Sequence, residues 1–335
     1  MPSAPANETQ QPLLAVEQLS IGFPSERGQR VMPVVRDAAF TVDRNEIVGL
    51  VGESGSGKTQ TALALLGLTR PPGRVLGGRV MLNGQVISEM SEEQLRQVRG
   101  KTAAMIFQSP RTSLNPLMPA GSQIARIYRR RQQVSKRSAE EATLKILGRV
   151  GVAGPARIAQ SYPHQLSGGM AQRVMIAMML ACGPELLIAD EPTTGLDVTI
   201  QAQIFDLIKE IQAESRMSVL LITHDLGVVA EVCQRVVVMQ LGRVVEIAPV
   251  DALFAGPRHP YTRRLLHSII GPDRQFERAP PQLDSAMFET EGAPYQAVSV
   301  DSWMEQRVTR PELINVAAGH WVLAHRLPEM AGAAL

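Results

Sequence analysis

The stretch that decides the fold is Gly52-Glu53-Ser54-Gly55-Ser56-Gly57-Lys58-Thr59, which fits the pattern G-x-x-x-x-G-K-S/T. Glycines in such a loop let backbone N–H groups wrap phosphate oxygens without side-chain collision, and Lys58 adds a positive charge. An apolar run at 46–51 precedes the loop and a helical pattern at 59–68 follows it, so the positive end of a helix dipole points at the loop. The stretch therefore predicts a site for nucleotide phosphates, with the Thr59 hydroxyl available to Mg²⁺.

Two more compact apolar runs, at 186–189 and 219–223, are typical of buried strands in a parallel sheet. The first run ends in Asp190 and Glu191, and consecutive strand residues point to opposite faces, so the two carboxylates can do different work. Asp190 is a candidate for supporting hydrated Mg²⁺, and Glu191 for orienting or deprotonating an attacking water. An acidic pair at a strand end is more often simply solvated, but the phosphate loop upstream favours the functional interpretation. The three runs predict an α/β fold with a parallel sheet wrapped by helices.

Length, charge and cysteine content exclude several classes of protein. The 335 residues fit one large domain with an appendage, or two domains, and the formal charge of +2 is too small for a strongly basic nucleic-acid binder. Cys182 and Cys233 lie far apart and indicate neither a disulfide framework nor a zinc cluster. The longest apolar run, 174–182, is too short to cross a bilayer as a helix, and the first residues lack a secretory signal, so we expect no membrane span.

The sequence at 70–166 is polar and basic, and it predicts a mainly helical insert. A run of like charges is usually a solvated face, while contact with lipid headgroups or a partner is the alternative. The basic residues of the helix-compatible part are Arg126, Arg129, Arg130, Arg131, Lys136 and Arg137.

A second glycine motif reads Leu166-Ser167-Gly168-Gly169-Met170-Ala171-Gln172. Ser167 can cap the following helix while the glycines expose its N–H groups, although such a stretch alone is more often a simple loop and cap. With the other motifs in this order, the chain resembles the ATP-binding-cassette (ABC) family, whose signature Leu-Ser-Gly-Gly-Gln from one subunit closes over ATP held by the other subunit's loop. Met170 stands where that consensus has Gln.

The resemblance implies a P-loop NTPase fold, with a RecA-like, mostly parallel sheet core, an antiparallel β subdomain and a helical subdomain bearing the signature. The expected division is a flexible N-terminal tail at 1–12, an ATPase domain at 13–270 with a helical insert at about 109–182, and an accessory region at 271–335. Sequence rich in Pro and Gly at 271–281 supports a boundary near 270.

The resemblance also assigns roles to single residues. Gln108 is expected to sense the γ-phosphate, contact Mg²⁺ and face the membrane subunits, and His224 matches the switch histidine that bonds the γ-phosphate and helps to place Glu191. Asp197 matches the loop that couples the two sites, and Phe23 is either the aromatic that stacks on adenine or an apolar strand residue. The expected catalytic residues are Glu191, His224 and Gln108. The expected nucleotide-binding residues are Gly52, Glu53, Ser54, Gly55, Ser56, Gly57, Lys58, Thr59, Phe23, Ser167, Gly168, Gly169 and Asp197. The expected Mg²⁺-binding residues are Thr59, Gln108 and Asp190.

Two further stretches resemble the peptide and nickel importer branch: Tyr162-Pro163-His164-Gln165-Leu166 and Pro257-Arg258-His259-Pro260-Tyr261-Thr262-Arg263-Arg264-Leu265-Leu266. The branch implies an ATP-hydrolysing subunit that powers bacterial uptake of di- or oligopeptides, with nickel, an opine or glutathione as alternatives. It also implies a peripheral location on the cytoplasmic face of the inner membrane. The expected partners are two permease subunits, a second like or unlike ATPase subunit and, indirectly, an extracytoplasmic solute-binding protein, with no nucleic acid. A soluble ABC ATPase outside transport and a regulatory subunit with little hydrolysis are the other classes considered.

Many relatives in this branch carry a Cys-rich C-terminal region that holds an iron–sulfur cluster. The stretch Gly319-His320-Trp321-Val322-Leu323-Ala324-His325 resembles its closing part, yet no Cys follows Cys233. Because thiolates are the usual cluster ligands, the expected cofactors are ATP and Mg²⁺ without an iron–sulfur cluster. The accessory region is expected to serve packing or dimer contacts.

Overall fold

The chain alternates strands and helices along most of its length. The structure, a computed structural model, describes residues 11–25, 30–269, 285–290, 293–298, 300 and 311–326. The described strands are β1 (Leu14–Pro24), β2 (Val31–Val42), β3 (Ile47–Val51), β4 (Arg74–Leu82), β5 (Gln85–Val86), β6 (Ala103–Ile106), β7 (Leu186–Asp190), β8 (Ser218–Ile222), β9 (Arg235–Gln240), β10 (Arg243–Pro249), β11 (Ser285–Thr290), β12 (Ala293–Val298), β13 (Glu312–Ala317) and β14 (His320–Arg326). The described α-helices are α1 (Lys58–Leu65), α2 (Glu92–Val98), α3 (Pro110–Ser113), α4 (Ala120–Gln132), α5 (Lys136–Arg149), α6 (Pro155–Gln160), α7 (Gly168–Ala181), α8 (Val198–Ser215), α9 (Leu226–Val232), α10 (Val250–Ala255) and α11 (Pro260–Ile269).

Five parallel strands form the centre of the larger sheet, in the order β6-β7-β8-β3-β9. Strands β3, β7 and β8 are buried along their whole length, because both faces of the sheet are covered. Ile47 and Val51 face one hydrophobic core, and Val48 and Leu50 face the other. The three strands predicted from apolar runs are confirmed to within one residue at each end. Their carboxyl ends lie along one edge of the sheet, where the candidate site forms.

A separate antiparallel sheet, in the order β2-β1-β4-β5, packs on the core that contains α1. The parallel sheet core and the antiparallel β subdomain that were expected are therefore both present. The expectation of a mainly helical insert over 70–166 was wrong for the segments that form β4, β5 and β6, whereas α2 lies between β5 and β6. Strand β4 leaves its first six residues exposed and buries Val80 and Leu82. Its polarity reflects a solvent-facing strand, which resembles helical surface sequence.

Helices α3 to α7 occupy residues 110–181, where the helical insert was expected at about 109–182. The basic stretch is not one helix. Gln133, the residue after α4, lies in the left-handed region with φ 53°, and Ser135 caps α5 by accepting from the N–H of Ser138 at 3.2 Å. Arg126, Arg129 and Arg130 are exposed. No described helix is both long enough and apolar enough to span a bilayer.

The described strands of the accessory region extend the larger sheet. Strand β14 pairs antiparallel with β10, with Glu246 opposite Val322 and Ile247 opposite Trp321, and it also pairs with β12 and β13. The pairing joins the accessory strands to the sheet that carries the candidate site. The division at residue 270 stays a prediction, and residues 1–10 of the predicted tail lie outside the described residues.

Candidate functional site

The glycine-rich loop follows β3 and closes tightly against neighbouring backbone. Gly52 has φ 149°, and a Cβ there would lie 2.1 Å from the carbonyl oxygen of Met239 in β9. Gly57 has φ 99°, and a Cβ there would lie 3.0 Å from the carbonyl oxygen of Val34. Both positions therefore require glycine, and the loop turns directly into α1 at Lys58. This is the backbone cradle that the sequence pattern predicts for phosphate.

Lys58 is folded into this loop with 6% of its surface exposed. Its Nζ donates to the carbonyl oxygens of Gly52 at 2.8 Å and Glu53 at 2.9 Å. Burial lowers the pKa of Lys58, and the nearby carboxylates of Glu191, Asp190 and Glu53 oppose that effect. The ammonium group is therefore placed in the loop, with acidic groups close enough to favour its charged form.

Asp190 ends β7 and is 3% exposed. Its Oδ1 accepts from the Thr59 hydroxyl at 3.3 Å. Burial raises the pKa of Asp190, the Thr59 hydrogen bond lowers it, the Glu191 charge raises it and Lys58 lowers it. A buried carboxylate beside a hydroxyl supplies the hard oxygen ligands that Mg²⁺ prefers, and a bound cation would offset the cost of burying the charge. The donor set fits the predicted metal.

Glu191 lies just beyond β7 in the left-handed region, with φ 45°. Its Oε2 accepts from Gln108 Nε2 at 2.9 Å and from the Thr194 hydroxyl at 2.9 Å. His224 Nδ1 lies 3.5 Å from Oε1 of the same carboxylate. Non-glycine residues adopt this backbone conformation at an energetic cost and it is enriched at functional sites. The carboxylate predicted to activate water is thus held by side chains that follow β6, β7 and β8.

The second group of predicted residues lies on the helical side of the chain. Ser167 caps α7 by accepting from the N–H of Met170 at 3.3 Å, and Asp197 caps α8 by accepting from the N–H of Ile200 at 3.0 Å. A methyl group on Gly169 would touch Ile200 at 3.6 Å, so the Gly168–Gly169 turn and the Asp197 loop lie side by side. Among the described residues, no hydrogen bond or ion pair joins this group to the loop around Lys58.

Phe23 lies in β1, half-buried, with its ring against Gly73 and the neighbouring apolar core. The described contacts of Phe23 do not include the phosphate loop. Both interpretations of this residue, adenine stacking and strand packing, stay open predictions.

Sequence reasoning missed three residues that support the loop and Glu191. The Tyr261 hydroxyl accepts from the N–H of Glu53 at 3.0 Å, the N–H of Gly242 donates to the Ser56 carbonyl at 3.0 Å, and Thr194 contacts Glu191. Tyr261 lies in the segment 257–266, which the sequence analysis used only as a mark of the importer branch. Its contact with a loop about 200 residues earlier has no local signal in the sequence.

The chain is similar to known ABC transporter proteins. The family described as "ABC transporter" matches residues 35–194. A probable peptide ABC transporter ATP-binding protein, y4tR of Sinorhizobium fredii, is 51% identical over 267 residues, which cover 79% of this chain and 78% of the relative. The dipeptide transport ATP-binding protein DppD of Escherichia coli is 48% identical over 257 residues, covering 77% of this chain and 78% of the relative.

The chain belongs to the ABC transporter family. This ABC transporter subunit is an ATP-binding ATPase, and the family, fold and enzyme class predicted from the motifs are confirmed. A second family, the "Oligopeptide/dipeptide transporter, C-terminal region", matches residues 245–297. Among solved structures, the ATP-binding cassette MJ0796, a dimer in a post-hydrolysis state bound to ADP and Pi, aligns with a TM-score of 0.64 and 25% identity, covering 71% of this chain and 98% of that one.

Proposed function

We propose that this ABC transporter ATPase powers import of di- or oligopeptides by closing head to tail with a second ATPase subunit around two MgATP molecules. The observation that carries the proposal is the meeting of Lys58, Thr59, Asp190, Gln108, Glu191 and His224 at one edge of the sheet. A structural turn alone would not require a buried lysine, a buried aspartate and a glutamate oriented by two other strand ends. The arrangement supplies a phosphate cradle, metal ligands and a base.

Each side chain has a distinct proposed task. Loop N–H groups and the Lys58 ammonium bind the β- and γ-phosphates, and Thr59, Asp190 and Gln108 hold Mg²⁺, which neutralises charge on the phosphate oxygens. Glu191 orients the attacking water and accepts its proton. His224 bonds the γ-phosphate and keeps the Glu191 carboxylate turned toward it. The contacts of the Glu191 carboxylate with Gln108 and His224 support these assignments.

The second subunit is needed because the Ser167 group does not reach the loop of its own chain. We place the Ser167 turn of each subunit over the nucleotide of the other, where its helix terminus and exposed N–H groups face phosphate. ATP does conformational work only if it binds the closed pair more tightly than the open one. Closure of the ATPase pair then moves two permease subunits, which contact the ATPase at Gln108. An extracytoplasmic solute-binding protein delivers the solute. The two ATPase subunits are either two copies of this chain or this chain with a different ATPase. They lie peripherally on the cytoplasmic face of the inner membrane and act without nucleic acid.

Peptide is the proposed cargo because the C-terminal match and two relatives carry that name. A glutathione import ATP-binding protein, GsiA of Pectobacterium atrosepticum, is 51% identical over 263 residues, which cover 77% of this chain and 42% of the relative. Nickel and opines are the remaining small solutes of the branch. In this proposal the ATPase subunit does not bind the solute, so the proteins that assemble with it determine which solute is transported.

The test isolates the tagged chain from its native membranes and identifies what copurifies. We expect two polytopic permeases, and an ATPase rate in proteoliposomes that rises when the cognate solute-binding protein carries a di- or oligopeptide. Stimulation by glutathione, nickel or an opine alone would replace the peptide assignment. Copurification with ribosomes or DNA and no permease would contradict transport, and a wild-type chain without measurable turnover would indicate a regulatory subunit.

A further inference from the structure

Tyr261 connects the phosphate loop to a buried polar cluster outside the nucleotide site. The tyrosine is 2% exposed, and its hydroxyl accepts from the N–H of Glu53 at 3.0 Å. The carbonyl of the same residue, Glu53, accepts from Lys58 Nζ at 2.9 Å. The phenol therefore fixes the peptide unit against which the phosphate-binding lysine rests.

Tyr261 is in turn held at its backbone by a buried turn. Its N–H donates to Nδ1 of His259 at 3.2 Å, and His259 is fully buried. The N–H groups of Arg258 and His259 donate to the two carboxylate oxygens of Glu246, at 2.7 Å and 3.0 Å. Glu246 lies on β10 and is fully buried. The Glu246 carboxylate therefore accepts from two consecutive backbone N–H groups of the turn that leads into α11.

The same carboxylate reaches the C-terminal strands. His320, the first residue of β14 and 4% exposed, places Nε2 at 2.7 Å from Oε1 of Glu246. Burial opposes ionisation of Glu246, but the contacts of its carboxylate with His320, with Thr262 and with the N–H groups of Arg258 and His259 outweigh burial and lower the pKa. A buried carboxylate is costly unless it is hydrogen-bonded on all sides, and removing one partner exposes that cost. A substitution of His320 should therefore disturb the turn that carries Tyr261, because both contact the Glu246 carboxylate.

We infer that Tyr261 is a positioning residue for the phosphate loop and that the Glu246–His320 contact couples the C-terminal strands to it. The inference rests on the proposed nucleotide-binding role of the loop. Packing alone needs only the aromatic ring of Tyr261, whereas its hydroxyl accepts a hydrogen bond from the loop backbone at Glu53. The C-terminal strands thereby stabilise the loop in its binding-ready shape, in addition to their contact with the sheet.

The first test replaces Tyr261 with Phe in the full chain and measures MgADP affinity by calorimetry. Removal of one buried hydrogen bond leaves the Glu53 N–H unpaired, and we expect an affinity about fivefold weaker than that of the wild type. The KM for MgATP rises by the same factor while kcat at saturation is kept, because the reacting groups are untouched. The control is Tyr128→Phe, a half-buried tyrosine on α4, which leaves both constants unchanged.

Hydrogen exchange gives a direct second reading, since the Glu53 amide loses its acceptor. A loop peptide covering 50–58 exchanges faster in Tyr261→Phe and at the wild-type rate in Tyr128→Phe. Unchanged affinity and unchanged exchange in Tyr261→Phe, with normal wild-type binding, would overturn the inference alone. A wild-type chain that does not bind MgADP would overturn the proposed function and this inference with it.

The second test is a double-mutant cycle between His320 and Tyr261. His320→Gln keeps an amide donor at the reach of Nε2, whereas His320→Asn is too short to meet Glu246. We expect His320→Asn to weaken MgADP affinity about two- to fivefold in the wild-type background and to have less effect on Tyr261→Phe, as coupled residues do. His320→Gln restores near-normal affinity. Equal and additive effects in both backgrounds would show that the strands do not act through Tyr261.

Discussion

His224 Nδ1 lies 3.5 Å from Oε1 of Glu191, although the two residues follow different strands of the sheet. The other carboxylate oxygen is occupied by Gln108 and Thr194. Both oxygens of the Glu191 carboxylate, the proposed base, are therefore positioned by neighbouring side chains. A reorientation of either neighbour changes where the carboxylate points.

Replacement of Glu191 by Gln should separate binding from hydrolysis. The amide keeps the size of the side chain but cannot accept a proton, so MgATP stays bound while turnover falls by about 100- to 1,000-fold. The closed pair should accumulate and elute as a dimer in size-exclusion chromatography with MgATP. Near-normal turnover would refute the assigned role of Glu191.

Replacement of Lys58 by Ala removes the buried ammonium group from the phosphate loop. Loss of one member of a desolvated charge pair costs about 2–5 kcal/mol, so MgATP affinity should fall by about 100-fold or more in equilibrium binding. Lys209→Ala is the matched control, because Lys209 makes only exposed ion pairs with Asp206 and Glu231. Equal affinities of the two variants would remove the loop from nucleotide binding.

Asp190→Asn should trade activity for stability. Burial raises the pKa of Asp190, so the folded state disfavours its charged form. The cost grows as the pH rises above the ordinary value of 3.8 and is complete above the folded pKa. At pH 7, without metal and nucleotide, we expect the free energy of unfolding to rise by about 1 kcal/mol. MgATP hydrolysis should fall at least tenfold. A variant less stable than the wild type would show that Asp190 is primarily structural.

Gly52 and Gly183 form a matched pair for the close approach of the loop to β9. Both have positive φ, but a Cβ on Gly52 would meet the Met239 carbonyl at 2.1 Å while a Cβ on Gly183 has no neighbour within 4 Å. Gly183→Ala should cost about 1 kcal/mol of unfolding free energy from backbone strain, and Gly52→Ala about 3 kcal/mol or more. Urea denaturation measures both, and equal losses would contradict the close approach.

The Glu246 carboxylate should make stability depend on pH in acid. Its pKa is lowered from 4.5 in the folded chain, so its contribution is fully present above that value and is lost as the pH falls through the folded pKa. The difference in unfolding free energy between the wild type and Glu246→Gln should therefore shrink as the pH drops below 4.5. A difference that stays constant down to pH 3 would contradict a stabilising role for the ionised Glu246 carboxylate.

Local sequence predicted the centre of the fold and most of the site. The loop at 52–59 and the apolar runs before Asp190 and His224 are continuous stretches, and buried parallel strands must be apolar on both faces. The order of these motifs was sufficient to predict the family. Carboxyl ends of parallel strands share an edge, so side chains that follow them meet without any further information.

What could not be predicted depends on long-range or unfavourable local features. Strand β4 exposes six of its nine residues and therefore resembled polar helical sequence. Glu191 adopts a left-handed backbone that no residue preference favours, and the Tyr261 hydroxyl meets a loop remote in sequence. Neither the Glu191 backbone conformation nor the Tyr261 contact produces a periodic pattern in the sequence. Residues 1–10 of the tail predicted at 1–12 lie outside the described residues.

The separation of the Lys58 loop from the Ser167 turn within one chain has a genetic consequence under the proposed head-to-tail pairing. A chain damaged at Lys58 and a chain damaged at Ser167 each fail when paired with themselves. When the two variants are mixed, one nucleotide site of the hybrid pair contains both substitutions and the other site contains neither. For a pair made of two copies of this chain, mixing the two inactive variants should thus restore one intact site in each hybrid pair.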